Sequence, residues 1–196
     1  MRKRNRLVEG VGINDADYRV TKMENGKRVW QCPYHRTWES MLRRAYSDKH
    51  KQSRPTYQDV TVCEEWHSFM NFRSWMVEQN WEDKELDKDI LFKGNKVYSP
   101  DTCVFVDRVV NSFLLDRAAS RGEWPVGVYW YKQEQKFMSR CNNPFTKKQE
   151  YLGLFTCPQQ AHLAWKARKH ELSCQLAGIQ ADQRVAEALR TRYKAL

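Results

Sequence analysis

Between Leu86 and Asn111 the chain gathers oxygen and nitrogen donors around two short apolar runs (LDKDILFKGNKVYSPDTCVFVDRVVN). Asp87 closes the first run, and Asn111 lies in a helical stretch that follows the second, Thr102 to Val106. Gly94-Asn95 marks a turn between them. The order is hairpin, then helix, with metal-capable oxygens at both ends. A carboxylate and a carboxamide are hard donors of the kind that suit Mg²⁺. Asp89 stands two residues beyond Asp87, so a regular strand turns both carboxylates to one face. Lys88 lies between them. A lysine of ordinary pKa is protonated at neutral pH and cannot take a proton from water.

The rest of the chain must position these groups. Its 196 residues can bury a core as one domain or as two or three small modules. Lys and Arg total 34 against 24 Asp and Glu, a formal charge of +10. That surplus favours polyanionic partners, because each phosphate neutralised releases condensed counterions. Aromatic residues interleave with the basic ones, and rings that are not core can stack on bases. No segment approaches the roughly 20 apolar residues that span a bilayer. The start, MRKRNRLVEG, lacks the apolar stretch of a secretory signal. Arg2, Lys3, Arg4 and Arg6 make residues 1–15 either a basic arm against phosphates or a frayed terminus. The six cysteines contain no CxxC pair and read as reduced thiols, mostly packed. Cys32-x-x-His35 could begin a zinc site, with Cys63 or His67 supplying ligands from afar. No second half with ligand spacing follows, so structural zinc is not expected.

Residues 16–80 read as a hairpin with aromatic-rich helices. Asn25-Gly26 is a hairpin turn between the runs at Tyr18 and Arg28. Trp38, Met41, Leu42, Ala45 and Tyr46 recur at helical spacing. A polar stretch from Ser47 to Thr56 breaks that pattern. Thr61-x-x-Glu64 reads as a capping box for a helix carrying Trp66, Phe69, Met70 and Met76. Residues 81–122 hold the hairpin and its helix, extending to about residue 119, with a break from Gly122 to Pro125. Residues 123–178 read as three strands, Val126 to Lys132, Lys136 to Asn142 and Glu150 to Phe155, then a helix. Thr156-x-x-Gln159 with Pro158 opens that helix, Ala161, Ala164, Trp165 and Leu172 share a face, and Gly178 ends it. Residues 179–196 form an amphipathic helix through Val185, Leu189, Tyr193 and Leu196. It could dock on the body, pair with another copy, or cross a phosphate backbone. The expected class is α+β: small modules, one a hairpin–helix unit, another a three-stranded antiparallel sheet packed on one helix.

Val126-Gly-Val-Tyr-Trp, Lys136-Phe-Met-Ser-Arg, Tyr151-Leu-Gly-Leu-Phe-Thr and Ala161-His-Leu-Ala-Trp resemble the plant APETALA2/ethylene-response DNA-binding domain. That resemblance implies a sheet lying in the major groove of double-stranded DNA. Tyr129, Tyr131, Lys132, Lys136, Ser139 and Arg140 would then face the duplex, Arg reading guanine edges and Lys meeting phosphate.

Residues 10–175 as a whole resemble bacteriophage HNH (ββα-metal) homing-type endonucleases that end in this APETALA2-like domain. The likeness rests on Tyr34-x-x-x-Trp38, Met41-Leu-x-Arg44, Val62-Cys-x-x-Trp66-x-x-Phe69-x-x-Phe72, Leu86-Asp87, Gly94-Asn95, Tyr98-Ser-Pro and Cys103-Val-Phe-Val. It implies a phage origin, a bacterial cytoplasmic location, and a magnesium- or manganese-dependent nuclease or nickase. Asp87 and Asn111 match the metal-ligand positions, and Asn95 matches the residue that fixes the loop. Lys88 stands where that family keeps its catalytic histidine, leaving Lys88 itself or Asp89 as the candidate base. The expectations therefore divide. One is a metal-dependent DNA endonuclease. Another is a catalytically degenerate HNH-fold protein that binds DNA, or a host protein, without cutting. A third is an interaction module built on residues 34–80.

Overall fold

Asn25 and Gly26 both take left-handed backbone, at φ 50° and 73°, which closes the tight hairpin between β1 (Thr21–Glu24) and β2 (Lys27–Gln31). The strands begin at Thr21, later than the apolar run at Tyr18. The computed structural model describes residues 7–115 and 123–194. The basic residues Arg2 to Arg6, the segment around Gly122 and Leu196 lie outside the described residues, as does the stretch to residue 119 over which the central helix was expected to extend. The chain forms two compact units, one up to Val106 and one from Asp107 onward. The class is α+β, as expected from the residue patterns.

In the first unit, α1 (Pro33–Tyr46) starts with proline at its first turn and buries Trp38, Met41, Leu42 and Ala45. They are four of the five residues at helical spacing, Tyr46 being half-buried, and Trp38, Met41 and Leu42 each contribute about 2 kcal/mol by leaving water. The Trp38 indole N–H donates to the Trp66 carbonyl at 2.8 Å, so the buried ring keeps no orphan donor. The polar stretch after α1 is not purely loop. Asp48–Ser53 forms a short helix, α2, whose His50 ring meets Tyr57 edge-on at 5.0 Å.

Thr61 does not cap a helix. Thr61–Val62 is strand β3, paired in parallel with β5 (Val97–Tyr98). The Thr61 and Cys63 N–H groups donate to Lys96 and Tyr98 carbonyls, so a strand from elsewhere in the chain takes the backbone that the box would have used. A 3₁₀ turn at Glu64–His67 follows, and α3 (Phe69–Val77) is capped by Ser68, which accepts from the Asn71 N–H at 3.1 Å. Strand β4 (Glu85–Asp87) pairs antiparallel with β6 (Val104–Val106), with Trp75 stacked on Phe105.

The second unit opens with α4 (Arg108–Leu114), which carries Asn111. Strands β7 (Val128–Tyr131), β8 (Lys136–Asn142) and β9 (Gln149–Phe155) form an antiparallel sheet in that order. Helix α5 (Pro158–Gly178) crosses it, and α6 (Gln183–Arg192) packs on α5. Cys157, not Thr156, precedes α5 and makes no side-chain cap; Pro158 supplies the pre-set φ instead. On α5, Ala161 and Leu172 are buried, while Ala164 and Trp165 are half-buried. The C-terminal helix docks through buried Val185, Ala186 and Leu189, and the Ser173 hydroxyl donates to the Leu189 carbonyl at 2.7 Å.

Candidate functional site

The hairpin end of the first unit is built by backbone demand. One carboxylate oxygen of Asp87 accepts the N–H groups of Asp89 and Ile90, each at 2.7 Å, and so turns the chain out of β4. Burial pushes the Asp87 carboxyl above its ordinary range. The two N–H bonds and Lys88 oppose that rise, and the neighbouring Asp89 charge adds to it.

Lys88 points inward, with 4% of its surface exposed. Its ammonium donates to the Asp89 carboxylate at 2.7 Å and to the Asn95 carbonyl at 2.8 Å, beside the rings of Tyr57 and Tyr98. Asn95 answers from the other side. Its amide donates to the Lys88 and Val97 carbonyls at 2.9 and 2.7 Å, and its oxygen accepts the Val97 N–H at 3.2 Å. Asn95 thus clamps the long connection between β4 and β5. This cluster holds a loop: the position expected to carry a base holds an ammonium enclosed by acceptors and rings.

Among the described residues, no three His, Cys, Asp or Glu side chains converge to hold a metal ion. Asp87 has one oxygen committed to two peptide groups, and Asn111 belongs to the other compact unit. In the Cys32-x-x-His35 stretch, the Cys32 thiol lies 3.9 Å from the Tyr18 hydroxyl and His35 bonds Gln31 through Nδ1 at 3.1 Å. His67 bonds the Tyr46 hydroxyl at 3.1 Å.

In the second unit, strand pairing sorts the sheet residues by face. Tyr129 pairs with Met138, and Tyr131 with Lys136. Arg140 pairs with Tyr151, and Asn142 with Gln149. By alternation all of these side chains share one face. Glu150 and Cys141 pair on the opposite face, where Glu150 accepts two bonds from Arg168 of α5 at 2.7 and 3.1 Å. Those bonds, with one from Asn143, draw the Glu150 carboxyl down to about 2. The helix therefore covers one side of the sheet, and Tyr129 and Tyr151, 49% and 60% exposed, stand on the other.

That open face carries four of the six residues expected to meet DNA: Tyr129, Tyr131, Lys136 and Arg140. Arg140 lies across Met138, its Nε 2.9 Å from the sulfur, and its guanidinium donates to Gln149 at 3.1 Å. Tyr131 donates to Gln133, and Lys136 reaches Glu134 at 3.3 Å. Lys132 is exposed in the turn beyond β7. Ser139 corrects the expectation that it faces outward. It pairs with Val128 on the helix side, is 0% exposed, and cannot reach a ligand on the open face.

Two features escaped sequence reasoning. Tyr151 and Gln149 join the open face, beside Asn142 of β8, because β9 carries one extra residue, Leu152, between its pairs with Ser139 and Arg140. Gly153, at φ 127°, absorbs that irregularity. Lys169 is buried on α5, in register with Ala161, Trp165, Leu172 and Leu176. A lysine inside an apolar stripe was the available signal. Among the described residues, no helix is long and apolar enough to cross a membrane. No protein-family model, curated protein or solved structure matches this chain.

Proposed function

We propose that the chain is a DNA-binding protein whose three-stranded sheet seats its open face on duplex DNA, and that it grips without base-catalysed cleavage. The observation that carries the reading is the sheet's division. Helix α5 is confined to one side, while Tyr129, Tyr131, Lys136 and Arg140 share the other. Arg and Lys on an uncovered sheet supply phosphate contacts and a guanine-reading fork. The chain's +10 charge adds attraction that salt screens. The hairpin supports the second half of the reading. An ammonium held by Asp89 and Asn95 cannot accept a proton from water while it stays charged.

The test is duplex binding followed by fluorescence anisotropy. Affinity should fall steeply with added salt, and Lys136→Glu or Arg140→Glu should each weaken it. Binding that ignores both substitutions would refute the sheet as the interface.

A second reading, an HNH-type metal-dependent nuclease, draws on the chain order of Asp87 on β4, then β6, then Asn111 on α4. Nicking of supercoiled plasmid with Mg²⁺ or Mn²⁺, lost in Asp87→Ala, would establish it over simple binding. A regulatory or anti-host role belongs to the binding reading and would show as a host protein recovered after nuclease treatment.

A further inference from the structure

The second unit contains a groove of about 880 Å³ that wraps the start of β7. Its size falls within the range of small-ligand sites. From the open face it is lined by Tyr129 and Arg140, and from the helix side by Trp165 and Lys169. Trp124, Trp130 and Phe113 add further ring surface, and Arg108 and Lys147 add exposed cations. No carboxylate of the described residues lines it.

Lys169 is the second, independent sign of a ligand. It is 9% exposed; its ammonium donates to the Phe113 carbonyl at 2.7 Å and lies 3.4, 5.6 and 6.0 Å from the centres of the Phe113, Tyr193 and Trp165 rings. Among the described residues it has no carboxylate partner. A buried ammonium beside a groove, held by one carbonyl and by ring faces and with no carboxylate partner among the described residues, can take an anion or an acceptor from outside. Flat rings beside four cations call for an aromatic anion.

We propose that this groove binds a nucleotide, its base against the tryptophan and tyrosine rings and its phosphate neutralised by the lining cations. The unit can be a free mononucleotide or one nucleotide of an unpaired strand. The inference goes beyond duplex binding by the sheet, with which it shares Tyr129 and Arg140.

The full chain is titrated with thymidine 5′-monophosphate, thymidine, inorganic phosphate and a short oligothymidylate, read by tryptophan fluorescence and calorimetry. The nucleotide or the oligonucleotide should bind saturably, at least tenfold tighter than phosphate or thymidine. Binding of the mononucleotide identifies a free-nucleotide site; binding of the oligonucleotide alone identifies a strand site. Lys169→Met should weaken binding at least fivefold. Arg108→Gln/Lys147→Gln, both exposed, should do the same. Lys136→Glu lies outside the groove and should leave this binding unchanged while lowering duplex affinity, which separates the two ideas. No saturable binding of either probe, phosphate binding as tightly as nucleotide, or an indifferent Arg108→Gln/Lys147→Gln variant would overturn the proposal.

Discussion

Lys88 and Asn95 hold each other twice: the ammonium of one donates to the main-chain oxygen of the other at 2.8 Å, and the carboxamide returns a bond to the Lys88 carbonyl at 2.9 Å. Neither residue can change without releasing a buried polar group of the other. The loop between β4 and β5 depends on that reciprocity.

Lys88→Met should therefore destabilise the first unit, by about 2 kcal/mol, since the Asn95 carbonyl loses its partner. The Asp89 side chain, 41% exposed, recovers part of its loss from water. Asn95→Ala removes three bonds and should cost about 2–3 kcal/mol. Urea unfolding measures both. Lys88→His is too short to reach the Asn95 carbonyl and should also destabilise, without conferring plasmid nicking in Mg²⁺ or Mn²⁺. Nicking by that variant would mean that a hydrolytic site was intact except for its base.

Glycine positions separate strain from collision. Gly127 has φ 81°, and an added Cβ would fall 2.1 Å from the Trp165 ring. Gly94 has the same φ with nothing within 4 Å. Gly94→Ala should cost about 1 kcal/mol, from left-handed backbone alone. Gly127→Ala should cost at least about 2 kcal/mol more, because the Trp165 ring must move. Equal losses in thermal unfolding would contradict the packing of Trp165 on Gly127.

Burial pulls the Lys169 ammonium down from 10.5 to about 8, partly offset by Cys141. A lowered folded value means that the folded state binds this proton less tightly than the unfolded chain does. The stability contribution is complete above 10.5 and is lost as pH falls through about 8. Between those values, stability should rise with pH by roughly 3 kcal/mol relative to Lys169→Met, an upper figure from the shift alone. Urea midpoints of the two proteins at pH 7.5 and 10 give the difference. A parallel pH dependence would contradict a buried, charged Lys169.

How much was legible in the sequence depended on whether the deciding contacts were local. Asn25-Gly26, the stripe from Trp38 to Ala45, the three strands after Val126 and the helix from Pro158 to Gly178 are set by residues near one another, and the chain folds there as its pattern reads. The Thr61 capping box failed because Val97 and Tyr98, some 36 residues on, offered a parallel strand to the same backbone. Ser139 was misplaced because facing depends on pairing with Val128, which residue type does not announce. At the hairpin, Asp87 and Asn95 carried recognisable turn chemistry. The inward course of Lys88 depends on Tyr57 and Tyr98, which only the fold brings beside it.

The most direct measurement is the salt dependence of duplex binding for the unaltered chain and for Lys132→Glu/Lys136→Glu, both outside the nucleotide groove. A sheet seated on DNA predicts a log–log slope of several units for the unaltered chain. It also predicts at least a tenfold loss of affinity and a slope shallower by about 2 for the variant. Undiminished affinity in the variant, or no duplex binding at low salt, would contradict it.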